Sequence, residues 1–318
     1  MPAPIHGMKS PCYSNRASFR IRWLGTACFQ ILLSAGKTLI VDPFLDESIT
    51  SPISSDEVGG CDFILLSHGH WDHILDVGTL SRRFHPKIFC NRATADSLIK
   101  HQDVDPALFH VVKWDQVIRE DVFSLEILRG IHPDPRKEYE RLSGQPYPEG
   151  EMRRDPHAAK MKIYRVTHGE IRLPEKHSEW MKKFLPGEQL NFLLTLDCGL
   201  RIYVAGSHPD PEIIQGAEKA HADITLLQVL SGDKLKGHEM QTARLAIASG
   251  CKIIVPQHHD PMFAGSKPTD LSMLKETLAN LSDALFQELM PGQWYGLEET
   301  AGKIGLIPEG ASSGPESI

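Results

Sequence analysis

Ser67-His68-Gly69-His70-Trp71-Asp72-His73 is the stretch on which the fold and the chemistry of this chain turn. It sets three imidazoles and a carboxylate within six positions, directly behind the apolar run Phe63-Ile64-Leu65-Leu66. A buried strand that ends in ligand-type side chains presents a site at the edge of a rigid scaffold. Neutral imidazole and carboxylate form the donor set that suits zinc, manganese and neighbouring divalent ions. His68 and His70, two apart on an extended segment, point to one ion. Asp72 and His73, beyond the turn, address a second.

The same arrangement recurs elsewhere in the chain. Val122–Leu128 reads as a strand delivering Ile131-His132-Pro133, and Lys252–Val255 as a strand delivering Pro256-Gln257-His258-His259-Asp260. Independent core histidines would share no such placement, whereas one rim of a layered α/β structure would collect them. His68, His70 and His132 then serve one ion, and Asp72, His73 and His258 the other. Three protein ligands per ion leave a position for water, as a catalytic site requires. A fourth strand end, Tyr203-Val204-Ala205-Gly206, runs into Ser207-His208-Pro209-Asp210, where an acidic residue bridging two metals is expected. Ser207 cannot act there as an anion, so His208 or Asp210 is the candidate bridge. His238, ahead of the Met240 helix, is either a substrate contact or a polar helix-start residue.

These motifs resemble a known family. His68-x-His70-x-Asp72-His73 is similar to the H-x-H-x-D-H motif of the metallo-β-lactamase superfamily. Trp23-Leu24-Gly25-Thr26-Ala27, Val41-Asp42-Pro43-Phe44, Tyr203-Val204-Ala205-Gly206 and Val255-Pro256-x-His258-His259-Asp260 resemble one branch of it. That branch holds ascorbate-6-phosphate lactonase-like and N-acylphosphatidylethanolamine phospholipase D-like hydrolases. The resemblance runs from Trp23 to about Asp260. It implies a four-layer αββα sandwich with metals at one edge between the sheets, the first ion on His68, His70 and His132 and the second on Asp72, His73 and His258. The family carries Ala/Ser-Gly-Asp where this chain has Ala205-Gly206-Ser207, so the bridging aspartate is missing from its place.

The chain has 318 residues, 41% of them hydrophobic and 24% charged, an ordinary globular composition with ample core. Its formal net charge of −7 argues against a nucleic-acid surface, which needs a dense basic face. Six scattered cysteines without a C-x-x-C pair read as small buried hydrophobes in a reducing, cytoplasmic setting. No stretch approaches a signal peptide or a membrane span. The expected division is an arm at 1–17, one hydrolase domain at 18–300 and a tail at 301–318. Within the domain, 134–189 is rich in charge, Pro and Gly, and reads as an inserted lid with short structure near Lys160–Val166.

The expected activity is metal-dependent hydrolysis with a metal-activated water. Asp72 is both ligand and candidate proton acceptor. His238 is a candidate for the leaving group or substrate, as is His259, which can also support a ligand from behind. Asp42 is expected to orient a ligand histidine. Arg136, Arg153 and Arg154 could clamp a phosphate or carboxylate. A lactone or other small ester, phosphorylated in particular, ranks first as substrate, then a phosphodiester. A nuclease is disfavoured by the acidic balance. His70 speaks against a redox diiron enzyme, which needs a carboxylate there. A non-catalytic metal-binding or regulatory protein is the rival class, favoured only by the missing aspartate. The expected partner is a small-molecule substrate, without nucleic acid or membrane and with homo-oligomer formation open.

Overall fold

Along Phe123–Arg129, Phe123, Leu125 and Ile127 turn inward while Ser124, Glu126 and Leu128 alternate with them, the period of a strand with one face on the core. Other strands carry unbroken apolar runs. Thr38–Val41 is buried throughout, as is nearly all of Leu190–Leu196, because both faces of these strands are covered. The computed structural model describes residues 19–300 and 303–310. The expected arm at 1–17 lies outside the described residues.

Fifteen strands form two sheets among the described residues. The first contains β1 (Arg20–Trp23), β2 (Phe29–Leu32), β3 (Thr38–Val41), β4 (Phe63–Leu65), β5 (Lys87–Cys90) and β6 (Phe109–Val111). The second contains β7 (Val117–Arg119), β8 (Phe123–Arg129), β9 (Leu190–Leu196), β10 (Arg201–Ala205), β11 (Ile224–Gln228), β12 (Ile253–Gln257) and β13 (Leu285–Phe286). The chain then returns to the first sheet through β14 (Tyr295–Thr300) and β15 (Lys303–Pro308), giving the orders β15-β14-β1-β2-β3-β4-β5-β6 and β13-β12-β11-β10-β9-β8-β7. β3 to β6 are parallel, as are β10 to β13.

The facing sides of the sheets share one apolar core that includes Phe29, Phe89, Phe123, Phe192 and Leu226. A second cluster packs Val77–Phe84 and Arg92–Gln102 on the outside of the first sheet, through Leu80, Ala95 and Leu98. A third packs Pro211–Ala217, Glu239–Ala248 and Ser272–Leu281 on the outside of the second, through Ile213, Leu245 and Leu274. The result is the αββα sandwich, helices outside and sheets within.

The structure corrects two boundaries. The expected tail is not one throughout: Lys303–Pro308 pairs antiparallel with β14 and buries Ile304 and Leu306. The glycine-rich composition around it hid a two-stranded edge. The apolar run Leu285–Leu289, which reads as a strand in sequence, pairs only over Leu285–Phe286. The segment 134–189 contains four helices (Pro135–Ser143, Glu149–Arg154, Pro156–His168 and His177–Lys183) rather than one short element. Each of the first three starts at or just after a proline, and Asp134 and Asp155 accept from backbone N–H groups as N-caps.

Removing residues 303–318 strips Ile304 and Leu306 from the inter-sheet core and bares the β14 edge. Each buried aliphatic side chain contributes roughly 1.5–3 kcal/mol, so the truncated chain should melt clearly lower and aggregate more readily. A calorimetric trace unchanged by the truncation would contradict the strand assignment.

Candidate metal centre

The carboxyl ends of β3, β4, β8, β10, β11 and β12 meet at one rim of the sandwich. β4 delivers His68 to His73, β8 delivers His132, β12 delivers His258 and β3 delivers Asp42. Two ligand-type groups emerge, His68–His70–His132 and Asp72–His73–His258, with the donor atoms of each within 4.8 Å of one another. These are the two sets expected from the strand ends.

Hydrogen bonds set which nitrogen each imidazole presents. His73 Nδ1 donates to Asp42 Oδ2 at 2.9 Å, which turns its Nε2 toward Asp72 Oδ2 at 3.8 Å. His132 Nδ1 donates to the Pro133 carbonyl at 2.8 Å, leaving Nε2 with a free lone pair. His68 Nδ1 lies 3.0 Å from Ser67 Oγ, and its Nε2 faces His70 Nδ1 at 3.1 Å. His258 Nε2 is 3.3 Å from Asp72 Oδ2. Asp42, besides accepting from His73, also accepts from Ser67 N and Oγ at 2.7 and 2.6 Å.

The donor sets fit a divalent ion. Ligands about 2.0–2.1 Å from a tetrahedral ion lie roughly 3.3–3.5 Å apart, near the spacings found here. Burial is the first cause that pulls His70 down to about 3, with His132 adding to it, and His132 down to about 4, with Lys234 and then His73 adding to it against the hydrogen bond to Pro133. Asp42 and Asp72, by contrast, raise His73 against its burial. Asp72 is driven below the ordinary carboxylate range by His73 and His258, which overcome its desolvation. Neutral imidazole and ionised carboxylate are the states that ligate.

Three residues near the site hold positive φ without being glycine: Thr26 at 46°, Asp42 at 43° and His258 at 63°. His258 N donates to the Thr26 carbonyl at 2.8 Å, and Thr26 N donates to Asp260 Oδ2 at 2.9 Å. Trp23 Nε1 bonds the same Thr26 carbonyl at 3.0 Å, and its ring stacks on His259 at 4.8 Å. The Trp23–Ala27 motif thus braces the loop that carries His258.

Above the ligands lies a cavity of about 290 Å³. Its walls include Trp71, Leu230 and Met262, with Glu138, Ile163, Tyr164, His168 and Met181 from the 134–189 segment. Trp180 stacks on Trp71 at 5.1 Å, and Arg172 N bonds the Ala264 carbonyl at 2.8 Å. Gly69 N donates to the Pro186 carbonyl at 2.9 Å, and any Cβ at Gly69 would collide with the Leu185 carbonyl. The segment is therefore docked on the metal loop.

Several expected site residues stand elsewhere. Neither His208 nor Asp210 reaches the second ligand set. His208 Nδ1 pairs with Asp210 at 3.2 Å, and its Nε2 lies 3.9 Å from Glu138, in a separate group with His238. A one-residue offset from the strand end sends these side chains outward, while Ser207 Oγ donates to Asn191 Oδ1 at 2.8 Å. His238 Nε2 donates to Glu138 Oε1 at 3.0 Å and does not line the cavity, so it is no leaving-group donor. His259 is occupied with Trp23 and bonds no ligand imidazole. Arg136 and Arg153 pair with Glu149, Arg154 bonds the Gly150 carbonyl, and none of the three lines the cavity. A short helix of alternating charge satisfied itself. Glu138 and Lys234 were missed. Lys234 lies on the turn Gly232–Leu235, past the end of β11 at Gln228 and beyond the reach of the strand-end pattern that located the histidines.

Comparison with known proteins agrees with this geometry. Residues 22–153 match the metallo-beta-lactamase superfamily domain. A UPF0173 metal-dependent hydrolase of Archaeoglobus fulgidus is 38% identical over 71 residues, 22% of this chain and 29% of that protein. One of Aeropyrum pernix is 32% identical over 105 residues, 33% of this chain and 39% of that protein. The matches span about a third of the length of such relatives. Among solved structures, Igni18, a metallo hydrolase of Ignicoccus hospitalis, covers 89% of this chain and 99% of its own with a TM-score of 0.59 at 15% identity. YhfI of Bacillus subtilis, a metallo-beta-lactamase fold protein, covers 87% and 98% with a TM-score of 0.53 at 14% identity. The fold is the metallo-β-lactamase fold. The segment carrying the H-x-H-x-D-H motif lies within the matched residues 22–153 and is similar to the UPF0173 metal-dependent hydrolases.

Asp42→Asn keeps the acceptor for Ser67 but weakens the hold on His73, and should reduce metal affinity roughly 10–100-fold, as loss of an orienting partner does. A chelator-competition titration reads this directly. For the metal-free chain, the lowered pKa values of His70 and His132 mean that the unfolded state binds protons first. Their contribution is present above the ordinary histidine value of 6.5 and is lost as pH falls from there toward 4 and 3. Melting temperature against pH should drop in that window, and less so in a His70→Gln, His132→Gln double variant.

Proposed function

We propose that this chain is a metal-dependent hydrolase of a small molecule, acting first on a lactone or other ester-type bond, phosphorylated substrates included. The observation that carries this reading is the pair of three-residue His/Asp sets lining one cavity. A divalent ion held there, zinc or manganese by its donors, supplies an acidified water and polarises an acceptor oxygen. His68, His70 and His132 hold the first ion, oriented by Ser67 and Pro133. Asp72, held ionised between His73 and His258, would accept the proton that the attacking water loses and return it to the departing oxygen. Tyr164, kept protonated by its burial and bonded at 3.2 Å to His177 Nε2, forms part of the wall that excludes bulk water. The apolar lining takes the body of the substrate, and the docked 134–189 segment sets its shape.

The second ion is the weaker one in this reading. Two divalent cations a few Å apart repel strongly, and Ser207 brings no anion between them. That feature is also what favours a non-catalytic metal-binding role, the rival that turnover decides. A cytoplasmic location is inferred from the free cysteines, of which Cys28, Cys61, Cys90 and Cys251 are buried. No helix among the described residues is long and apolar enough to cross a membrane.

Metal titration followed calorimetrically should resolve one tight site and one clearly weaker site. The metal-loaded chain, screened against lactones, carboxylic esters and phosphodiesters, should turn over at least one of these classes. His70→Ala should lower kcat/KM by more than roughly a hundredfold, since loss of a mere orienting partner already costs up to that much. Full metal loading without turnover of any class would favour the non-catalytic role.

A further inference from the structure

The cavity contains one cation that the chemistry above does not use. Lys234 lies on the short turn Gly232–Leu235 after β11, and its side chain lines the cavity together with His70, His132 and His168. No carboxylate among the described residues pairs with its ammonium. The two carboxylates lining the cavity are already engaged. Asp72 faces His73 and His258. Glu138 accepts from His238 at Oε1 and from Arg141 Nη2 at Oε2, 2.6 Å away.

The turn itself is fixed from outside. Arg141 donates through Nη2 to the Lys234 carbonyl at 2.8 Å and through Nη1 to the Lys236 carbonyl. Gly232, at φ 62°, packs so closely that any Cβ there would collide with the Thr167 carbonyl. Its N–H donates to Thr269 Oγ1 at 2.8 Å. The backbone that carries Lys234 is thus held in place at the cavity wall. Burial disfavours the Lys234 charge, and Asp72 and Glu138, which favour it without forming an ion pair with it, offset that cost only in part, so an anion that joins it is welcome. A divalent ion on His68, His70 and His132 adds further positive charge and leaves the cavity still more in want of an anion.

We propose that Lys234 forms an anion-binding subsite in this cavity and that the molecule bound there carries a carboxylate or a phosphate on an apolar body. This rests on the cavity being the substrate site, as in the function proposed above, and narrows its substrate class. Lys234 anchors the charged group. Trp71, Tyr164, Leu230 and Met262 receive the apolar part, and the ligand sets lie beneath the bond to be broken. A lysine serves here as a point charge and does not choose between the two anions by geometry alone.

The test uses the full chain, both metal-loaded and chelator-treated, with phenylphosphonate, phenylacetate and neutral benzyl alcohol as probes. Lys234→Met should weaken binding of the preferred anion to the chelated chain by at least roughly tenfold, the expected loss of a charged contact. Lys234→Arg should retain most of it, and benzyl alcohol should bind all three chains alike. The tighter of the two anions identifies the group. On the wild-type chain, which depends on no variant folding, the anion should protect Lys234 from reductive methylation as read by mass spectrometry, and benzyl alcohol should not. Binding that is indifferent to Lys234→Met, or equal labelling of Lys234 with and without anion, overturns the proposal. Metal uptake and turnover report separately on the hydrolase reading: anion binding through Lys234 in a chain that takes no metal would sink that reading and leave this one standing.

Discussion

The Asp42 carboxylate is the point on which the metal rim depends. It leaves the end of β3 at a positive φ and accepts from Ser67 N, Ser67 Oγ and His73 Nδ1, all within 2.9 Å. One buried anion thereby fixes the start of the histidine loop, the hydroxyl beside His68 and the tautomer of His73. Side chains on a loop are rarely positioned to catalytic tolerance unless a rigid element holds them from behind. Here that element is a parallel strand pair, β3 and β4, whose registered ends place Asp42 beside Ser67.

The same economy governs the other side of the cavity. Arg141, on the Pro135–Ser143 helix, reaches both the Glu138 carboxylate and two carbonyls of the turn that carries Lys234. It ties the 134–189 segment to the second sheet just as Pro186 and Gly69 tie it to the first. The segment is therefore part of the site's wall rather than an excursion from it. Its exposed charges pair among themselves, as Arg136 and Arg153 do with Glu149, and surface pairs of this kind add little stability. Its buried aromatics carry the docking instead, with Trp180 on Trp71 and Tyr139 almost wholly covered.

Departure from the usual second-metal arrangement has a local cause. Ser207 stands where an aspartate would bridge, and its hydroxyl is committed to Asn191 and to Ile131 N. His208 and Asp210, the nearest polar residues, pair with each other and leave toward Glu138 and His238. A strand end allows one inward position, and this chain places an uncharged residue in it.

The sequence by itself determined the sandwich, the gathering of two His/Asp groups at one rim and the place of Asp42 beside them. These are legible because strand ends are local features: an apolar run followed by His or Asp fixes both the strand and the direction in which its polar residue emerges. It also determined most strand and helix positions, where hydrophobic periodicity is strong, and missed β15, where glycine and alternating polarity weaken the signal. Only the tertiary structure decided which charges face the cavity. Arg136, Arg153 and Arg154 looked like an anion clamp, but Glu149 pairs with the first two and the Gly150 carbonyl accepts from the third, all within the same or the adjoining helix. Lys234 and Glu138 looked like surface residues, yet packing between a turn and a distant helix brings them to the wall. Whether a charged side chain is paired or left waiting for a ligand depends on contacts about a hundred residues away in the chain, and no local pattern encodes those.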